Sequence, residues 1–481
     1  MEKEKSIFKN TIYNALYNGL AVIFPLITVP YISRVLLSDG IGKVNYATNI
    51  VSWFLLFASL GIPRYGVREI AKTRDNQKEL SETFSELFII NFASTAICSI
   101  IYLILVFVAP YFSSRTLLYL TVGIQLFLNI FNVDWFYQGL EEYGYITKRS
   151  FVVKLLSLIA IFVFVHKKED YVIYAAIQSF ALAGNYCWNM AHIFKYTRFS
   201  FHSLTFKRRI SPIFILLSTQ LAVNIYALLD TTMLGWWCSD SVIGYYSNAQ
   251  KIIRVISVLT ASLGGVMLPR LVSYIQSKRI DELKKLSENV LEVLLFTCVP
   301  ISIGLFMLSD NIVLILFGKD FLPSITTMKI FAPFIVFTTI GNLYGTQLLM
   351  SFGEEKLLLK SVVVGACINF TLNFLSIRRF MQNGATFASV VTECIVMILQ
   401  IYYVRRYLVL HVGKKNWRDL FIMNAAMIVC IIMVRFLISN TFLQLIIAIV
   451  VGICIYGFIG MILKNDIIYE ILGYTKQLIH K

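Results

Sequence analysis

Wound as a helix, the stretch "GYYSNAQKIIRVISVLTASLGGVML" from Gly244 puts Ser247, Lys251 and Arg254 on one face, at 100° per residue. Ile252, Ile253, Ile256 and Leu259 point elsewhere. The stretch is apolar and long enough to cross a bilayer, yet it carries two cations near its middle. A charge at mid-bilayer costs about 3 kcal/mol on insertion scales and is tolerated only where it faces protein or water. Two neighbouring cations cannot neutralise each other, so the chemistry they invite is anion binding. An arginine forks onto phosphate oxygens with particular ease. One reading is structural: Asp230 or Glu393, acids inside other apolar stretches, pairs with Lys251 or Arg254 and staples the fold. The other is a water-filled cationic cavity that receives an anionic substrate. The two are compatible, because a substrate phosphate can displace an acidic partner.

Other residues stand out by type and place. Arg34 closes an apolar stretch, "FPLITVPYIS", whose Pro25 and Pro30 interrupt helical hydrogen bonding. Broken spans often line a substrate path or bend between states; a harmless kink reads the same way. Arg34 and Lys43 would either widen a cationic surface or serve as ordinary loop charges. In "FNVDWFYQGLEEYGYITKRS", Trp135, Phe136 and Tyr137 suit a membrane interface. Asp134 beside them is less expected; it fits a gate, a coupling-ion ligand or a helix cap. Asp230 and Glu393 are further candidates for gating or ion coupling. The eight cysteines are scattered and read as small apolar packers, with no Cys-x-x-Cys. There is no His-Glu-x-x-His and no Gly-x-x-x-x-Gly-Lys-[Ser/Thr], so neither a metal nor a nucleotide cofactor is expected.

These residues need a membrane scaffold to position them. The chain of 481 residues is 58% hydrophobic and 15% charged, and many stretches are apolar on every side. The expected fold is an all-α integral membrane protein with about fourteen spans: 11–33, 42–63, 83–109, 116–137, 150–165, 171–194, 212–237, 242–268, 290–317, 324–350, 357–377, 384–404, 419–438 and 442–463. Barrel strands would alternate instead. No cleavable signal is expected; the first span is itself the insertion signal. Thirty of the 43 lysines and arginines fall in the two tails and the loops on one side, and eight fall in the opposite loops. The bias places both termini in the cytoplasm. It also accounts for most of the net charge of +16 without nucleic acid as a partner. The remaining five, Lys154, Lys251, Arg254, Lys329 and Arg435, lie within spans. The basic loops "RYGVREIAKTRDNQKE", "KYTRFSFHSLTFKRR" and "RRYLVLHVGKKNWR" would attract anionic membrane lipids.

The chain also repeats itself. "IGKVNYATN" from Ile41 resembles "IGYYSNAQK" from Ile243, "ASLGIPR" resembles "ASLGGVMLPR" and "LSETFSELFII" resembles "LSENVLEVLLF". The reading is two parallel six-helix repeats plus two C-terminal helices. The domains are then an N-terminal lobe, 1–209, a C-terminal lobe, 210–406, and a C-terminal pair with its tail, 407–481. Such lobes suggest a central site and alternating access. No loop between spans is large enough for a catalytic domain, so an enzyme is not expected.

"FPLITVPYISRVL", "ASLGIPRYGVREIAK", "FSELFIIN", "DWFYQGLEEY", "GYYSNAQKI" and "VMLPR" resemble the Wzx-type polysaccharide flippases, in the superfamily of multidrug, oligosaccharidyl-lipid and polysaccharide exporters. The resemblance covers roughly residues 6 to 350 and is most specific in the first 150. It implies a flippase in the bacterial cytoplasmic (inner) membrane, moving an undecaprenyl-pyrophosphate-linked oligosaccharide to the outer leaflet for O-antigen, capsule or another surface polysaccharide. A polysaccharide polymerase and a chain-length regulator are the protein partners it implies. Related lipid II flippases carry a cavity arginine in the eighth span; the matching residue here is Arg254, with Lys251 and Ser247 beside it and Arg34 as a further candidate substrate contact. The rival within the superfamily is a cation-coupled exporter of drugs or small metabolites, which would favour an acidic cavity.

Overall fold

The computed structural model describes residues 7–201, 204–265, 268–277 and 279–469. The charged tails and His202–Ser203 of the second basic loop lie outside the described residues, as do Val266 and Met267 of the repeated "ASLGGVMLPR" motif and Lys278. The described chain is helical throughout, with turns and no strand among the described residues. Seven helical stretches within it are long and apolar enough to cross a membrane by length and composition. It is an all-α integral membrane fold. The chain divides into two compact units: Met1–Gly235 with Ser239–Gly244, and Trp236–Cys238 with Tyr245–Lys481.

The first unit is built from α1 (Ile7–Ser59), α2 (Ile62–Thr73), α3 (Gln77–Val108), α4 (Pro110–Ser113), α5 (Thr116–Phe127), α6 (Asp134–Gly139), α7 (Tyr143–Phe164), α8 (Tyr171–His192) and all but the last two residues of α9 (Phe206–Trp237). α10 (Asp240–Gly265) begins here and continues in the second unit. The loop expected between the first two spans shrinks to one residue: Leu37, at φ 59° and ψ −177°, breaks α1. α1 packs on α3, α5 and α7, and α5 packs on α8. Asn76 starts α3 by accepting hydrogen bonds from the backbone N–H groups of Lys78 and Glu79.

Polarity along α3 runs inside out relative to a soluble helix. Asn91, Thr95 and Tyr102 are buried, while Ile97, Ile100, Ile101, Ile104 and Phe107 are exposed. The buried groups satisfy one another: Asn91 Nδ2 donates to the Asn129 carbonyl at 2.9 Å, Asn129 Nδ2 to Thr95 Oγ1 at 3.0 Å, and Tyr102 Oη to the Tyr119 carbonyl at 2.6 Å. An apolar rim around a bonded polar interior suits a helix whose solvent is lipid.

Where α1 meets the start of α10, the repeat becomes a contact. Gly42 and Gly244 are equivalent positions of the repeated motif, as are Ser38 and Asp240. A Cβ on Gly42 would lie 1.7 Å from the Asp240 carbonyl oxygen, and one on Gly244 would lie 2.1 Å from the Ser38 carbonyl oxygen. The backbones therefore cross at a spacing only glycine permits, and each helix seats its glycine on the equivalent residue of the other. Asp240 is further held by Arg115, whose Nη1 and Nη2 reach its two oxygens at 3.0 and 2.8 Å.

The second unit contains most of α10, then α11 (Leu268–Gln276), α12 (Ile280–Leu316), α13 (Ser324–Phe331), α14 (Phe334–Asn342), α15 (Glu355–Val404), α16 (Lys414–Leu437) and α17 (Thr441–Ile462). A π-helical segment, Leu343–Leu349, continues α14. α15 is broken at Met381 (φ 48°, ψ −129°), so the loop expected between 377 and 384 is again a near-point break. α12 is the hub, packing on α13, α14, α16 and α17. Leu291, Leu294, Leu295 and Phe296 of α12 join Met423, Met427 and Ile431 of α16 in one apolar core.

Candidate functional site

α10 carries the cationic face. Within the first unit its start is held by the glycine crossing and by Arg115; within the second, Tyr246 packs on Phe331 of α13 with ring centroids 5.5 Å apart. Thr260 Oγ1 shares a 2.8 Å hydrogen bond with Thr339 of α14. On α10 Ser247 is buried, Lys251 half-buried and Arg254 exposed. Neither Lys251 nor Arg254 forms an ion pair with an acidic residue among the described residues.

The other charges inside apolar stretches are treated differently. Lys329 of α13 and Arg435 of α16 converge on Asp310 of α12: Lys329 Nζ lies 2.9 Å from Oδ1 and Arg435 Nη2 lies 2.9 Å from Oδ2. Arg435 Nη1 also donates to the Met307 carbonyl at 2.8 Å. Lys154 of α7 sits over the Phe24 ring, 5.9 Å from its centroid. Three of the five intramembrane cations are thus engaged by the packing around them, and Lys251 and Arg254 are left to share one face of one helix.

Of the acidic candidates, Asp230 is buried on α9 and Glu393 on α15. Asp134 opens α6 and belongs to a compact network. Arg149 of α7 reaches it at 3.0 Å and also donates to the Asn189 side chain, and Asn189 Nδ2 donates back to Asp134. Tyr137 Oη donates to the Asn189 carbonyl at 2.7 Å. Arg34 is exposed on α1, and its Nη1 donates to the Pro30 carbonyl at 2.9 Å, so the cation folds back onto the proline turn. Lys43 pairs with Asp39 at 2.6 Å.

Sequence reasoning missed three partners. Arg149 falls between the expected spans 116–137 and 150–165, with Asp134 fifteen residues before it. Asp310 falls inside the expected ninth span, and a lone acid there was the available signal for Lys329 and Arg435. Arg209 ends a basic loop expected to attract anionic lipid, yet it is buried: Nη1 meets Glu69 Oε2 at 2.7 Å, Nε meets Glu86 Oε2 at 2.8 Å and Nη2 donates to Thr83 Oγ1 at 3.1 Å. The Thr205 backbone N–H completes the cluster by donating to Glu86 Oε1 at 2.7 Å. The linker into α9 is thereby tied to α2 and α3. No group of three or more His, Cys, Asp or Glu is placed to hold a metal among the described residues.

Comparison with known proteins gives this geometry a setting. Residues 7–275 match the family described as polysaccharide biosynthesis protein. The chain is 22% identical over 411 residues to a protein of Escherichia coli (strain K12) named as a candidate O-antigen transporter, covering 83% of this chain and 97% of that one. It is 23% identical over 410 residues to the capsular polysaccharide biosynthesis protein CapF of Staphylococcus aureus, covering 83% of this chain and 99% of that one. Among solved structures, the lipid II flippase MurJ in an inward closed conformation superposes with a TM-score of 0.74 at 16% identity, over 95% of this chain and 100% of that chain. An inward-facing multidrug resistance transporter of the MATE family superposes at 0.59 with 12% identity, over 80% and 97%. These two likenesses concern the fold.

Proposed function

The chain belongs to the polysaccharide biosynthesis protein family, and on that premise we propose that it flips an undecaprenyl-pyrophosphate-linked oligosaccharide from the cytoplasmic to the outer leaflet by alternating access. It is a multi-pass membrane transporter, and the reading places it in the bacterial cytoplasmic membrane with both termini inside. Lys251 and Arg254 hold the pyrophosphate while the headgroup crosses. The prenyl tail stays in lipid, so only the polar part needs a path.

The observation that carries this reading is the contrast among intramembrane cations. Lys329 and Arg435 are matched by Asp310, whereas Lys251 and Arg254 share a helix face with no ion-pair partner among the described residues. Leaving two such charges uncompensated is costly unless an anion arrives. Pyrophosphate is the dianionic part of the lipid-linked sugars that surface-polysaccharide assembly consumes, and a guanidinium forks onto it. Asp134, Asp230 and Glu393 are the candidates for gating or for coupling a cation. Arg34, folded onto its own proline turn in this conformation, would join the substrate contacts only after its side chain swings out.

Binding to purified protein in nanodiscs tests the assignment. Undecaprenyl-pyrophosphate-linked sugar is compared with undecaprenol, for wild type and for the folded double variant Lys251→Ala/Arg254→Ala. The expected result is a preference for the pyrophosphate lipid of tenfold or more in wild type that the variant loses; one lost ion-pairing group typically costs a factor of ten or more. Equal binding of both lipids by wild type, or an unchanged preference in the variant, rejects the assignment and favours the exporter of drugs or small metabolites.

A further inference from the structure

A second cationic pair lies on α15, in the second unit. Arg378 and Arg379 occupy the last turn of the first half of α15, just before its break at Met381. The charge bias assigns this end to the outside, where lysine and arginine are scarce. Arg378 lies against two rings: its guanidinium carbon is 4.9 Å from the Trp237 ring centroid and 5.3 Å from that of Phe374. Trp237 and Phe374 meet edge to face at 5.7 Å. Arg379 lies 5.5 Å from the Phe380 ring centroid. Trp236 and Phe380 stand outermost, each 57% exposed.

Two ordinary explanations exist. Arginine near a helix C-terminus gains about 0.3–1 kcal/mol from the terminal carbonyls, and tryptophan favours membrane interfaces. Neither accounts for the arrangement of the pair. Neither arginine has a carboxylate partner among the described residues. Contact with two aromatic rings restrains the Arg378 side chain without using up its N–H donors. A planar fork, with a second cation next to it in the chain, suits the oxygens of a phosphate or pyrophosphate. The exposed Trp236 indole, 6.0 Å from the Trp237 ring, offers a face that fits the apolar face of a sugar ring, which a plain phospholipid headgroup lacks.

We propose that Trp236, Trp237, Phe374, Arg378, Arg379 and Phe380 form a docking site on the outward side for the pyrophosphate and first sugar of a lipid-linked saccharide. The proposal rests on the flippase reading and adds a second place to it: the headgroup is received here after it crosses, before an enzyme of the glycosyl-transferring class consumes it. Lys251 and Arg254 bind during transit, and the α15 pair binds at release.

Native mass spectrometry counts the bound lipid directly. The probe is undecaprenyl pyrophosphate carrying one sugar, titrated into wild type, Arg378→Gln/Arg379→Gln, Arg378→Lys/Arg379→Lys and Lys251→Ala/Arg254→Ala, with phosphatidylglycerol as competitor. Wild type should bind two equivalents. The glutamine pair should weaken one of them tenfold or more and spare the other, the lysine pair should fall between, and the α10 variant should lose the complementary equivalent. All four arginine substitutions are at exposed positions, so folding is expected to persist, and thermal unfolding of each variant checks it. Wild-type binding by the glutamine pair overturns the proposal, as does displacement of the probe from this place by equimolar phosphatidylglycerol. A glutamine pair without effect beside a sensitive α10 pair rejects the release site alone. The reverse pattern rejects the α10 assignment alone, and a wild type that binds no probe rejects both.

Discussion

Asp310 does more structural work than any residue the sequence singled out. It answers both Lys329 and Arg435 at 2.9 Å and so pins α12, α13 and α16 together. Replacing it by asparagine keeps the shape and removes the charge. The three side chains are about one-third exposed, so the loss falls below that of a fully buried pair, at about 1–3 kcal/mol. A clear drop in the thermal unfolding midpoint of the detergent-solubilised Asp310→Asn protein is expected; an unchanged midpoint would show the triad to be dispensable. Arg209→Met should cost more, about 3–5 kcal/mol, because it strands Glu69 and Glu86 in a buried place with one counter-charge fewer. The order of the two midpoints checks that ranking. The charges themselves were legible in the sequence. Their partners were not, because Arg435 lies 125 residues from Asp310 and Arg209 lies 140 from Glu69. Such distances leave no local spacing to read.

At the scale of elements, long apolar runs announce themselves because lipid demands them, and helices occupy most of the expected stretches among the described residues, although the one expected at 116–137 is broken at Asn132 and Val133. Loops carry a weaker signal. The segments 34–41 and 378–383 contain enough polar residues to suggest connecting loops, yet the chain turns at single residues, Leu37 and Met381. Glycine would be the ordinary choice at positive φ, and a larger residue there costs about 1–3 kcal/mol. Met381 is 52% exposed and has little packing to lose. Met381→Gly is therefore expected to stabilise the second unit by about 1 kcal/mol, and Met381→Ile to destabilise it, since a β-branched side chain fits that backbone worst. Urea unfolding followed by circular dichroism would report both, and two shifts of the same sign would contradict the account. The short amphipathic α2 was hidden for a different reason: its charges looked like solvent-facing loop residues, but Glu69 is buried against Arg209.

At the scale of the whole molecule, the charge asymmetry makes a claim that labelling can settle. In a variant lacking native cysteines, a single cysteine at Lys319 should react with an impermeant maleimide added to intact cells, and one at Lys356 should react only after the membrane is opened. The opposite pattern would invert the orientation and move the Arg378 cluster to the inside. The internal repeat was visible as paired phrases in the sequence, but its physical use was not. Gly42→Val and Gly244→Val should each force the crossing apart and lower folded yield in membranes sharply, because the Asp240 and Ser38 carbonyls occupy the space a side chain needs. Within the first unit, a larger residue at either glycine would push away the helix that carries the other, so Ser38, Gly42, Asp240 and Gly244 work as a single set, and a change at one is felt at all four.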